Sequence, residues 1–171
     1  MVDSAENSNA VDADRFRGGM RHLCTGVTII ATGAGDARKG LAASAVCSVS
    51  DDPPMLLVCV NKSASAHDSI LESGAFCANV LAQPHSELAK IFSSSKRAAE
   101  RFTTGEWITL ATGAPALSDA LACFDCRVHH TIEAGSHTVI FGVVEAMHQG
   151  AERPPLLYGY SQFGAYAPSG F

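Results

Sequence analysis

The chain has 171 residues, 47% of them hydrophobic and seven of them proline, which fits one globular domain with its own core rather than two packed domains. Charged residues make up 17%, below the ~25% of an ordinary soluble domain, so much of the surface must be neutral or covered by a second subunit or a bound cofactor. With 12 Lys+Arg against 17 Asp+Glu the formal net charge is -5, which argues against a protein held on nucleic acid or anionic lipid by a basic field.

Residues 1–12 are polar and aperiodic and are expected to form a disordered tail ahead of a single domain over 13–171. The start MVDSAENSNAVDADR has neither a basic n-region nor an apolar core for export, and no run approaches the ~20 apolar residues of a membrane span. A cytoplasmic protein with no membrane partner is therefore expected. Asp12 or Asp14 can cap a short helix whose Phe16, Met20 and Leu23 form one apolar stripe that must pack on something. GVTIIATG (26–33) is short and β-branched, and GAGDARKG turns it into a second strand, GLAASAVCSVS (40–50), completing a hairpin. Alternation along that strand sets Leu41, Ala43, Ala45, Cys47 and Val49 against Ala42, Ser44, Val46, Ser48 and Ser50. Asp51-Asp52-Pro53-Pro54 forces a stop, and the continuously apolar MLLVCVN (55–61) predicts a strand buried on both sides.

Ser65 opens a capping-box-like SAHD before a short helix to Ser73, with Gly74 placed to end it, and FCANVL (76–81) returns as a strand. Pro84 suits the first turn of a helix with Leu88, Ile91 and Phe92 on one face, followed by a polar surface loop, SSSKRAAER. After EWITLAT come a turn at Gly113-Ala114-Pro115 and a one-turn helix near Leu117–Leu121. ACFDCRVHHTIEA and HTVIFGVVEAMHQ then form two long strands joined at Gly135-Ser136, and PLLYGY is strand-like. Many short strands, few helices and no regular β-α-β alternation predict a mainly β protein, an antiparallel barrel with inserted helices.

The six cysteines lie in apolar or β-like stretches and are read as small core residues. Cys123-x-x-Cys126 would point its thiols to opposite faces of a strand and lacks a second ligand pair, so no metal site is expected. No G-x-S-x-G elbow accompanies the serines and histidines, and His22, His85 and His148 read as surface residues. Neither a G-x-G-x-x-G nor a P-loop pattern occurs, so a nucleotide site must be built differently. One segment does suit an anion: Asn61, Lys62, Ser63 and Ser65 stand where a strand runs into a helix start, with hydroxyl donors and one ammonium. By spacing alone, helix capping by Ser65 remains an equal reading, and His137 at a tight strand connection reads as a turn residue or a functional one.

FRGGMRHLCTGVTIIAT, GLAASAVCSVSDDPPMLLVCVNKSASAHDSI, FCANVL, LAKIF, ERF, AGSHTVIFGVVEA and PLLYGYSQF together, over about residues 15 to 165, resemble the short-chain, HpaC-like flavin reductases. These are reductase components of two-component flavin-dependent monooxygenases. The resemblance implies a split Greek-key barrel, FAD or FMN at the interface of a homodimer, and hydride transfer from NADH, in preference to NADPH, to the flavin. Reduced flavin would pass to a separate monooxygenase of aromatic compounds. It places flavin along Ala42, Ala43, Ser44, Cys47 and Ser48, then Cys59, Val60 and Asn61, with phosphate on Lys62, Ser63 and Ser65. Further flavin contacts would come from Phe92, Ser93 and Arg101. His137 matches the histidine of the A-G-[DS]-H motif, near the nicotinamide and flavin rings, with Ser136 where an acidic residue is usual. Tyr158, Tyr160 and Phe163 would bound the NADH pocket, and Arg153 and Lys39 are the candidates for a 2′-phosphate. A non-enzymatic flavin- or haem-binding barrel, and a self-contained oxidoreductase acting directly on its substrate, stay open as alternatives.

Overall fold

The computed structural model describes residues 11–166. The expected tail over 1–12 lies, except for its last two positions, outside the described residues. Helices α1 (Ala13–Met20), α2 (His67–Ser73) and α3 (Ser86–Ser93) punctuate a strand-rich chain. In order, the strands are β1 (Thr25–Gly26), β2 (Thr28–Thr32), β3 (Lys39–Ala43), β4 (Val46–Asp51), β5 (Pro54–Asn61), β6 (Ala75–Val80), β7 (Trp107–Thr109), β8 (Pro115–Leu117), β9 (Ala122–Ala134), β10 (His137–Gln149), β11 (Leu156–Gly159) and β12 (Gln162–Ala165).

Seven strands form one antiparallel sheet in the order β3-β2-β6-β9-β10-β5-β4, and smaller sheets join β1-β11-β12 and β7-β8. The two edges of the large sheet, β3 and β4, are consecutive in the chain, separated only by Ser44 and Ala45. So short a link spans at most roughly 10 Å, and the sheet must curl until its edges approach. The Cys59 N–H donates to the Ala45 carbonyl at 3.0 Å, carrying the β4–β5 ladder into the link. No ladder joins β3 to β4, so the expected closed barrel is instead an open, curled sheet. The predicted single strand over 40–50 is two strands, and its alternation slips at the link. Leu41 and Ala43 face the inner core before it, Val46 after it, while Ala42 packs on the outer core.

The sheet therefore has two cores. Ile30, Val58, Val60, Phe76, Ala78, Cys126 and Ile140 fill the inside of the curl, and Ala66 and Ile70, preceding and within α2, pack among them. Outside, Ile29, Ala31 and Cys77 are covered by Leu88, Ala89, Ile91 and Phe92 of α3 and by Ala116 and Leu117 of β8. Burial on both faces thus belongs to β2 and β6, whereas β5 alternates: Leu56, Val58 and Val60 are buried, Met55, Leu57 and Cys59 half-exposed. Asn79, fully buried, accepts the Leu117 N–H at 2.7 Å and donates to the Ile29 and Pro115 carbonyls. That tie holds 115–117 extended against β7, and the one-turn helix expected near Leu117–Leu121 is a turn and bend instead.

Gly74 ends α2 in the left-handed region (φ 65), as its position predicts. Asp12 caps α1, accepting the Arg15 N–H at 2.7 Å, but Phe16, Met20 and Leu23 are 60%, 46% and 58% exposed, so among the described residues the expected stripe is not buried. Cys77, Cys123 and Cys126 are core residues, and burial pushes the Cys126 thiol up to about 12. Cys24 and Cys47 are exposed, contrary to a wholly buried set. Among the described residues no helix is long and apolar enough to cross a membrane.

Gly142 lies in β10 where the inner core is tightest: a Cβ there would stand 2.7 Å from Phe76 Cζ and 2.8 Å from Cys126 Cβ. Gly142→Ala should lower stability by about 1–3 kcal/mol through overpacking, read as a fall in the urea midpoint. An unchanged midpoint would show that the core yields at no cost.

Candidate functional site

A large cavity, about 1140 Å³, lies along the end of β3. Ala42, Ala43 and Ser44 form one wall, Val27 and Leu156 part of its apolar lining, and Tyr158 and Phe163 of the β11–β12 hairpin border it. Tyr158 and Phe163 are cross-strand partners with their rings edge to face at 5.3 Å. Opposite them, Ser93, Ser94, Ser95 and Lys96 follow α3, with Lys90 on its last turn. Because β3 is a sheet edge, one side of its backbone has no ladder partner and can hydrogen-bond a flat polar ligand. The volume exceeds the ~300–1,000 Å³ of ordinary small-molecule sites. Two stacked ring systems have room there.

A second set of polar groups stands at the ends of β5 and β10. Asn61 Oδ1 accepts from the Ser63 N–H (2.9 Å) and hydroxyl (2.8 Å), which shapes the turn after β5. Lys62 forms an ion pair with Glu133 of β9, and its N–H donates to the Ser136 carbonyl at 3.0 Å. The Lys62 ammonium holds the Glu133 carboxyl below the usual carboxylate range. Ser136 Oγ lies 2.9 Å from His137 Nδ1, so the serine at the expected acidic position still supplies a polar partner.

Arg101 connects the two sets. Its Nη1 donates to the Gly40 carbonyl (2.8 Å) and to Ser65 Oγ (3.2 Å), and Nη2 donates to the Ser94 carbonyl (2.9 Å). Burial pulls the guanidinium below its ordinary value. Ser65 consequently does not cap α2, whose start has no side-chain cap. The arginine has taken that hydroxyl.

The expected site residues divide accordingly. Ala42, Ala43, Ser44, Ser93, Tyr158 and Phe163 meet at the large cavity, and Asn61, Lys62, Ser63 and His137 gather at the strand ends. Cys47 and Ser48 instead line a separate cavity of about 290 Å³ at the far side of β4, because the chain has crossed to the other sheet edge. Val60 points into the inner core and Phe92 is 1% exposed against Phe102 and Trp107, so neither side chain reaches a ligand. Tyr160 turns away from the cavity: its ring packs edge to face on His22 and its N–H donates to the Arg21 carbonyl at 2.7 Å. Arg153 is tied to Asp119 and Lys39 is exposed, and neither lines the large cavity. His85 is buried, accepting the Ala82 N–H and meeting Asp119 at 3.0 Å, so its role is structural rather than that of a surface residue. The cavity residues missed in the sequence include Lys90, Lys96, Ser94, Ser95 and Gln162. The serine run and its lysine were the available signal, read there as a solvated loop.

An edge strand beside a cavity with hydroxyls and ammonium groups at its margins has the shape and the hydrogen-bonding groups to suit a flat polar ligand. Residues 20–167 match the flavin reductase like domain, and the chain belongs to that family. Among curated relatives, FMN reductase (NADH) RutF of Ancylobacter novellus is 42% identical over 163 residues, 95% of this chain and 90% of that protein. The protein of the same name from Bradyrhizobium diazoefficiens is 43% identical over 143 residues, 84% and 79% of the two chains. Among solved structures, BorF, the flavin reductase component of a bacterial two-component tryptophan halogenase, superposes with TM-score 0.84 at 34% identity, over 92% of this chain and 100% of that one. The NADH:FAD oxidoreductase SgcE6 of Streptomyces globisporus gives TM-score 0.85 at 29% identity, over 96% and 99%.

Arg101→Lys keeps the charge but cannot reproduce the fork that satisfies Gly40, Ser65 and Ser94 together. It should cost about 1–3 kcal/mol of stability, measured by urea unfolding, with faster proteolysis in the 94–101 loop. Wild-type behaviour in both assays would show that the loop holds itself.

Proposed function

We propose that the protein is an NADH-dependent flavin reductase, taking FMN or FAD, that delivers reduced flavin to a separate monooxygenase, most simply one acting on an aromatic compound. The observation that carries this reading is the cavity of about 1140 Å³ walled by Ala42, Ala43 and Ser44 and bordered by Tyr158 and Phe163. Small side chains along an edge strand leave a flat slot with backbone donors and acceptors at its rim, which fits an isoalloxazine. The match to relatives named FMN reductase (NADH) supports FMN and NADH as the first pair to test.

Bound flavin supplies the two-electron chemistry by accepting hydride from reduced nicotinamide. The protein's task is positioning. Ala42–Ser44 would hold the ring plane of the flavin, Lys62, Ser63 and Ser65 would receive its phosphate, and Tyr158 and Phe163 would bound the nicotinamide side and exclude water. His137, half-buried beside Ser136, orients the rings and places an imidazole N–H near developing negative charge.

A homodimer completes the proposal. On the outer face of β5 and β10, Met55–Val143, Leu57–Phe141 and Cys59–Val139 are cross-strand pairs of half-exposed apolar residues, and His130 stacks on Phe141 at 4.1 Å. A second copy covering this face would account for the low charge fraction. The partner oxygenase follows from chemistry of the same kind: BorF, at TM-score 0.84, is one component of a two-component system.

Purified protein mixed with FMN or FAD should oxidise NADH, seen as loss of the nicotinamide absorbance, and His137→Ala should lower kcat/KM roughly ten- to a hundredfold, the scale of lost alignment. No turnover with either flavin would leave a binding module. Wild-type kinetics in His137→Ala would remove the histidine from the mechanism.

A further inference from the structure

His67, the first residue of α2, is 7% exposed and has no part in the cavity. Its Nδ1 lies 2.7 Å from Asp68 Oδ1, and its Nε2 lies 2.9 Å from Oγ1 of Thr138, a wholly buried β10 residue next to His137. The Thr138 hydroxyl donates to Glu133 Oε1 at 3.2 Å, and the other Glu133 oxygen holds the Lys62 ammonium. A hydrogen-bonded series thus runs from the start of α2, through the floor of the β9–β10 hairpin, to the one cation in the Asn61–Ser65 segment.

We infer that His67 is a positioning residue for the phosphate end of the flavin site, acting through Thr138 and Glu133 to fix Lys62. The inference rests on the reading of that segment as the phosphate contact. A lysine ammonium has three donors; one spent on an anchored Glu133 leaves two aimed in set directions. Without Thr138, Glu133 is an exposed carboxylate with rotational freedom, and Lys62 moves with it.

A carboxylate only accepts, so Nδ1 donates to Asp68, and the Thr138 hydroxyl, which donates to Glu133, meets Nε2 through its oxygen. Proximity of His67 adds to the pull of Lys62 and Thr138 on the Glu133 carboxyl.

Riboflavin, which lacks the phosphate, separates positioning of Lys62 from general support of the fold. Dissociation constants for FMN and riboflavin, measured by fluorescence quenching, should show Thr138→Val and Asp68→Asn weakening FMN roughly five- to tenfold, the scale of a disrupted charge-assisted hydrogen bond. Riboflavin should stay within about twofold, and Thr138→Ser, which keeps the hydroxyl, should retain wild-type FMN affinity. Equal weakening of both flavins, or none, would overturn the inference. Asp68 is exposed, so its variant tests the series even if Thr138→Val fails to fold. Wild-type protein that binds FMN no tighter than riboflavin would instead overturn the phosphate reading itself.

Discussion

Ser44 and Ala45 impose the constraint on which the rest of the structure depends. They join the two edges of a seven-stranded sheet, and a link of that length exists only if the sheet curls through nearly a full turn. Curling creates an inside, filled by Ile30, Val58, Phe76 and Ile140, and an outside, which needs separate cover. The α3 helix and the β7–β8 hairpin supply it over β2, β6 and the start of β9. Among the described residues no helix or hairpin covers the side formed by β5 and β10, the face proposed above for a second subunit.

The same constraint locates the site. Edge strands ordinarily present unpaired backbone groups that invite wrong association. Here the end of the β3 edge borders a cavity with hydroxyls, ammonium groups and two aromatic rings at its margins. Arg101 then ties β3, the segment before α2 and the loop after α3 into one unit with three hydrogen bonds. On the proposed reading, flat ligands would meet mostly neutral side chains there, with Lys90 and Lys96 at the margin. A reductase of this kind needs no nucleophile, since the hydride moves between two bound cofactors.

Much of this was legible in the residues. Period-two and β-branched runs marked β2, β5, β6, β9 and β10, Gly74 marked the end of α2, and Gly135 the turn between β9 and β10. The errors share a cause. GLAASAVCSVS alternates without interruption, and nothing local records that its halves belong to opposite edges; hence Cys47 and Ser48 were grouped with Ala42–Ser44. SAHD has the form of a cap, yet Ser65 serves an arginine 36 residues away. Phe92 and Val60 sit in segments that resemble flavin contacts, but their side chains complete the cores.

By itself the sequence determined the strands, their turns, the family and the chemical character of the site, because periodicity, glycine and proline stereochemistry, and residue type act over a few neighbours. It also determined that some neutral surface had to be covered. Only the tertiary structure decided which strand edges meet, which hydroxyls are committed to Arg101, and that His67, Thr138, Glu133 and Lys62 form one series. Those outcomes depend on contacts between residues tens of positions apart, brought together by the curl of the sheet, and no local pattern encodes them.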